Sequence, residues 1–155
     1  AAENVYMNGN CEKAIDGFNS YLDKFPIGYF SVNAHYYLAD CLMKRNSKDS
    51  ALTSYLFVCT SPKGMFTEKS VLNAANITYE QKNYSKSNEM FRRLDQESEI
   101  NSHKSMAEIG IMRTEFYLKH YDSAMVYAQK VLLQNKTTNI TNDEANYIIA
   151  NSYLH

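Results

Sequence analysis

Tryptophan is absent from this chain, and proline, glycine and cysteine are scarce. Its five glycines are scattered and form no Gly-rich loop, which argues against a loop that cradles phosphates. Neither sign of charge dominates: 16 Lys and Arg stand interspersed among 17 Asp and Glu, for a formal charge of −1. Nucleic-acid recognition needs a concentrated basic face, so no nucleic-acid partner is expected. No apolar run approaches the ~20 residues needed to cross a bilayer, and direct membrane insertion is not expected either. The opening residues, AAENVYMNGN, lack the basic and apolar regions of a signal peptide. They resemble the second half of a helix, so the chain reads as a fragment of a longer protein, with any targeting signal upstream. Cys11, Cys41 and Cys59 are an odd number with no CxxC or zinc-like spacing, and they read as small apolar fillers.

What is present is a repeated helical pattern. The stretch Asn33 to Val58 reads as two helices joined by a tight turn, with Ala39 and Ala51 twelve residues apart, one on each helix. A large side chain where two antiparallel helices cross would force them apart, so these two alanines mark the predicted crossing. Tyr37, Leu38, Leu42, Leu52, Tyr55 and Val58 give each helix an apolar stripe at separations of three and four. The small residue of the second helix recurs at Ala14, Ala51, Ser87 and Ala124, at spacings of 37, 36 and 37. Its crossing partners are Ala2, Ala39, Ala75 and Met112, and Phe18, Tyr55, Phe91 and Ala128 follow four residues after it. A last half-unit, NDEANYIIANSYLH, copies NAHYYLADCLMK. Self-similarity at such a period marks a helical solenoid, because one helical pair cannot bury its stripes alone.

The predicted helices lie near 1–8, 11–25, 31–45, 48–60, 65–82, 85–98, 102–119, 122–135 and 141–155, with turns at Gly9-Asn10, Asn46-Ser47, Lys82-Asn83 and Lys119-His120. Pro26 with Gly28, and Pro62 with Gly64, punctuate the ends of the first two units. No alternating run is long enough to propose a strand, and the expected class is all-α. Residues 1–155 form one expected solenoid domain, with units near 1–27, 28–63, 64–100, 101–137 and 138–155. The third unit is the least regular, with Ser87 for Ala and a second helix crowded with polar residues, and looser packing is expected there. In the fourth, Met112 fills a small position, and Gly110 is expected to admit the crossing helix on a shifted register.

These features resemble the tetratricopeptide repeat family, in which the second helix carries an Ala followed four residues later by an aromatic and a Pro closes the unit. Ala2, Ala14, Phe18 and Pro26 match in the first unit, and Leu38, Ala39, Ala51 and Tyr55 in the second. The departures are Ser87, Met112, the missing Trp and the missing closing prolines of the third and fourth units. The stretch Lys13 to Lys44 is similar to bacterial cell-envelope proteins of this family, of the outer-membrane barrel-assembly lipoprotein and Tol–Pal cell-division coordinator types. It shares their YL-x-x-FP close at Tyr21 to Pro26 and their A-x-Y-x-L-A-x-C opening at Ala34 to Cys41. The resemblance implies a right-handed α–α superhelix of about four hairpins plus a terminal half-repeat, acting as a non-catalytic scaffold for a protein or peptide ligand. It implies a periplasmic or outer-membrane-associated location, with a cytoplasmic regulatory module as the alternative.

The concave side of such a superhelix is lined mainly by first helices. Projection of the pattern places Tyr36, Asp40, Met43, Asn76, Tyr79, Arg113, Phe116 and Tyr147 there as protein-binding residues. Tyrosines suit a partly wet groove, Asn76 can donate and accept, and Arg113 can fork onto a carboxylate. The competing reading of Tyr36, Tyr79 and Phe116 is packing between first helices, and of Arg113 an exposed or internally paired charge. A structural spacer, self-associating through exposed ends at Tyr147, Ile148 and Leu154, is a further alternative. No catalytic residue, metal site or cofactor is expected: His35, His103, His120 and His155 are widely spaced, and Asp95, Glu97 and Glu99 read as a solvated helix end.

Overall fold

The computed structural model describes residues 1–134 and 137–155, and among these it contains nine α-helices and no strand. They are α1 (Ala2–Met7), α2 (Cys11–Lys24), α3 (Ser31–Lys44), α4 (Lys48–Thr60), α5 (Thr67–Glu80), α6 (Tyr84–Glu97), α7 (Asn101–Tyr117), α8 (Tyr121–Leu132) and α9 (Asn139–Ser152). The protein is all-α, and each helix starts within two residues of its predicted start. Position 135, the predicted end of the eighth helix, lies outside the described residues. The chain divides into two compact units, Ala1–Ala74 and Ala75–His155, with the division inside α5.

The turns that join helices within a pair are built alike. Gly9, Asn46, Lys82 and Lys119 all have positive φ, between 59° and 78°. Each N–H bonds the carbonyl three residues back, and the next N–H bonds the one five back: Gly9 to Tyr6 and Asn10 to Val5, Lys119 to Phe116 and His120 to Glu115. This doubly bonded left-handed close satisfies carbonyls that the helix end would leave orphaned. The following residue is then the N-cap of the next helix. Asn10 and Asn83 accept side-chain caps from the Lys13 and Lys86 amides at 3.2 and 3.3 Å. The turns at the two prolines use a hydroxyl instead: Ser31 Oγ accepts from the Gly28 amide at 2.7 Å and donates to the Phe25 carbonyl at 2.8 Å. Thr67 Oγ1 likewise accepts from the Gly64 amide at 2.9 Å.

In the first unit, α1 packs on α2 and α3, α2 on α3, and α3 on α4. Ala39 and Ala51 are fully buried, as a close crossing requires. Cys11 and Cys41 are not apolar fillers. They form a disulfide, with Cα atoms 5.1 Å apart, while Cys59 is a buried thiol outside it. The pairing follows from antiparallel packing, which sets the first residue of α2 beside the last turn of α3.

In the second unit, α6 packs on α7, α7 on α8 and α9, and α8 on α9. The expectation of loose packing at Ser87 fails: the residue is fully buried, and its hydroxyl donates to the Ala75 carbonyl at 2.8 Å. At Gly110 the space a Cβ would take is filled by the Phe91 ring, so the missing side chain admits α6. Met112 packs in the core with Ala124, Ala128, Val131, Ala145 and Ile148. Ile148 is therefore core and not an exposed end residue, whereas Tyr147 and Leu154 are 60% and 80% exposed.

Candidate functional site

In the first unit the three predicted surface residues lie on α3. The Tyr36 ring is half-buried and stacks on Phe66, with centroids 4.2 Å apart and planes at 17°. It also meets Tyr37 and Tyr55 edge-on. Burial, and then the Asp40 charge, raises its pKa above the ordinary tyrosine value. Asp40 accepts the Tyr6 hydroxyl at 2.9 Å and pairs with Lys44 Nζ at 2.9 Å, and the same ammonium lies 5.1 Å from the Tyr6 ring centre. Tyr6 is consequently pushed well above its usual range, by burial first and then by the bond to Asp40. Met43 is partly exposed beside this cluster on α3. Tyr36 and Asp40 thus join α3 to its own chain, through Phe66 in one direction and through Tyr6 on α1 in the other.

In the second unit the predicted residues gather into a row of rings. Tyr84 at the start of α6 stacks nearly parallel on Tyr117 at the end of α7, 4.5 Å apart and tilted by 7°. Tyr79 on α5 meets both edge-on, at 5.5 and 6.1 Å. Phe116 meets Tyr117, Tyr121 and Tyr147 edge-on, and Tyr121 stacks on His155. Edge-to-face and offset stacks are the geometries that ring quadrupoles favour. Tyr117 and Tyr147 keep about half or more of their surface exposed, at 52% and 60%. Asn76 is exposed one turn before Tyr79. The Tyr79 hydroxyl is raised well above its ordinary value, by burial first and then by Tyr117.

Arg113 forks onto a carboxylate of its own chain: Nε and Nη2 donate to the two oxygens of Glu144 on α9, at 2.8 and 2.7 Å. The bonds to Glu144 raise its pKa against the opposing effect of burial. This bidentate pair ties α7 to α9.

A polar network that the sequence reading did not identify lies among α6, α7 and α8. Glu115 is buried, with only 5% of its side chain exposed. It accepts from Arg92 Nη2 at 2.7 Å and meets His120 Nδ1 at 2.9 Å. Arg92 also donates to Asn88 Oδ1 and Ser123 Oγ, and Asn88 donates to Thr114 Oγ1 at 2.8 Å. Burial raises the Glu115 pKa, but the bonds from Arg92 and His120 outweigh it and hold the carboxyl below its ordinary value. The signal was the polar crowding of the third unit's second helix, which is where Asn88 and Arg92 sit. Among the described residues no three His, Cys, Asp or Glu side chains gather as a metal site, and no helix is long and apolar enough to cross a membrane.

No protein-family model matches this chain, and no curated protein matches it in sequence. The repeat motifs therefore stand as a resemblance carried by residues, and the ring row, the ion pair and the buried network are what the molecule itself offers.

Proposed function

We propose that this chain is a non-catalytic interaction scaffold, along whose first-helix surface a partner peptide or helix is held. The observation that carries the reading is the ring row of the second unit, which ends in the exposed rings of Tyr117 and Tyr147 with the Asn76 amide nearby in sequence on α5. Such rings offer an apolar face and a polar tip, and they lose little side-chain freedom on binding. Arg113 and Asp40 serve as positioning residues, since their charges are spent on Glu144, Lys44 and Tyr6.

The helical pairs would continue one another as a right-handed superhelix of tetratricopeptide type. Support comes from the left-handed turn residues Gly9, Asn46, Lys82 and Lys119, which recur at the same 37, 36 and 37 spacings as the crossing residues. A bacterial envelope location is supported by the Cys11–Cys41 disulfide, because such bonds persist in oxidising compartments.

The test is capture on immobilised chain, parent against Asn76→Ala, Tyr147→Ala, from separated periplasmic and cytosolic extracts. A periplasmic protein held by the parent and lost by the variant supports the reading; equal retention by both removes this surface. A structural, self-associating segment is the second reading, favoured by Tyr153 and Leu154, which are 71% and 80% exposed. Light scattering that finds a dimer, abolished by Leu154→Asp, would favour it.

A further inference from the structure

We infer that the segment held on the ring row of the second unit is a proline-rich peptide in the polyproline II conformation. The inference rests on the scaffold reading above and names the chemistry of what that scaffold holds.

Charge and hydrogen-bonding sense select this ligand. Arg113 lies one turn before Tyr117 on α7, and Glu144 one turn before Tyr147 on α9. Their charges are spent on each other through the bidentate fork. A charged side chain docked beside them would lose hydration without gaining a partner, so the pair favours an uncharged segment. A polyproline II chain makes no internal hydrogen bonds, and its prolines bring carbonyl acceptors without N–H donors. The row answers with donors: the hydroxyls of the exposed Tyr117 and Tyr147, and the amide of exposed Asn76, one turn before Tyr79 on α5. A helical partner satisfies its own carbonyls and would leave these donors unused. An ordinary extended peptide adds N–H groups that need acceptors, and the Glu144 carboxylate is already engaged by Arg113.

Spacing agrees with chemistry. Tyr117 and Tyr147 each lie edge-on to Phe116, with centroids 6.2 Å from it. Two steps of that length bound the distance between the two exposed rings. Polyproline II advances about 9 Å per three-residue turn, which falls within that bound and matches the ~8–10 Å separation of packed helices. A ligand that crosses α7 and α9 can therefore set one pyrrolidine ring against each tyrosine, one turn apart. Both sides are stiff beforehand. Tyr84 and Tyr79 hold the Tyr117 ring in place, and proline fixes the φ of the ligand, so little freedom is lost on docking.

The test is a titration of the intact chain with three end-blocked peptides of about ten residues: all proline, a Gly-Ser repeat, and an Ala-rich helix with an apolar stripe. Tyrosine emission is the readout, because the chain holds 13 Tyr and no Trp and the peptides carry neither. The proline peptide is expected to bind saturably and about tenfold tighter than the Gly-Ser repeat. Tyr147→Ala should weaken it about tenfold, and Tyr147→Phe, which keeps the ring and drops the donor, about threefold. Circular dichroism checks that both variants keep the helical content of the parent. Proline binding no tighter than Gly-Ser binding, or equal in the parent and Tyr147→Ala, overturns the inference. If only the helical peptide binds and Tyr147→Ala releases it, the proline ligand is wrong and the scaffold reading stands. If no peptide binds and capture from extract is also equal for parent and variant, both fall.

Discussion

Gly110 lacks a side chain in a place where Phe91 occupies the space for one. A Cβ there would overlap three atoms of the Phe91 ring, and that ring is 3% exposed, with no direction in which to move. Two effects oppose each other in Gly110→Ala. Helix propensity favours alanine by about 1 kcal/mol, while overpacking a filled core costs roughly 1–3 kcal/mol. The enclosed ring decides the sign, and the variant is expected to unfold at a lower denaturant concentration than the parent, by about 1–2 kcal/mol. A compensating Phe91→Leu should recover part of the loss in a double-mutant cycle. Additive losses would place the fault elsewhere. The same reasoning explains Ser87: the small volume is kept, and the added hydroxyl finds the Ala75 carbonyl, so this substitution leaves no orphaned polar group.

At the scale of elements, four turns share one backbone geometry but not one residue type. Gly9 adopts its positive φ at no steric cost, and Asn46 at little, but Lys82 and Lys119 place a Cβ where it crowds the following carbonyl. Both lysines are exposed. Lys119→Gly is therefore expected to raise stability by about 0.5–1 kcal/mol, read as a higher midpoint in urea with unchanged slope. A fall would mean that the Lys119 side chain contributes more than its backbone costs. These turns were legible in the sequence because each depends on a residue or two and on the register of the stripes beside it. The disulfide and the Glu115 network were not, for a physical reason. Cys11 and Cys41 lie 30 residues apart, and Arg92 and Glu115 lie 23 apart, so their meeting depends on which faces of neighbouring helices are turned together. The ring row falls between these cases. Helical spacing placed Tyr79, Phe116 and Tyr147 on first helices, but Tyr84, which completes the stack, comes from a second helix.

Across the whole chain, the two units respond to acid through different groups. In the first, His35 on α3 stacks on Phe57 at 3.9 Å and faces Ser54, and burial lowers its pKa below the ordinary value of about 6.5. The folded unit therefore resists protonation of His35, and its contribution is complete above about pH 6.5 and declines as pH falls through the lowered folded value. In the second unit the group is Glu115, held below its unfolded value of about 4.3 by Arg92 and His120 despite burial. Its contribution is complete above about pH 4.3 and is lost as pH falls through the still lower folded value, when the proton takes the place of its hydrogen bonds. Glu115→Gln should lower the melting temperature at pH 7, with the difference from the parent shrinking below about pH 4 as the parent's own carboxylate is neutralised. His35→Gln should instead flatten the decline that sets in below about pH 6.5 and leave the contribution of Glu115 intact. Stepwise thermal unfolding by circular dichroism at each pH separates the two. A Glu115→Gln difference as large at pH 3 as at pH 7 would mean that the residue stabilises α6, α7 and α8 by its shape and not by its charge.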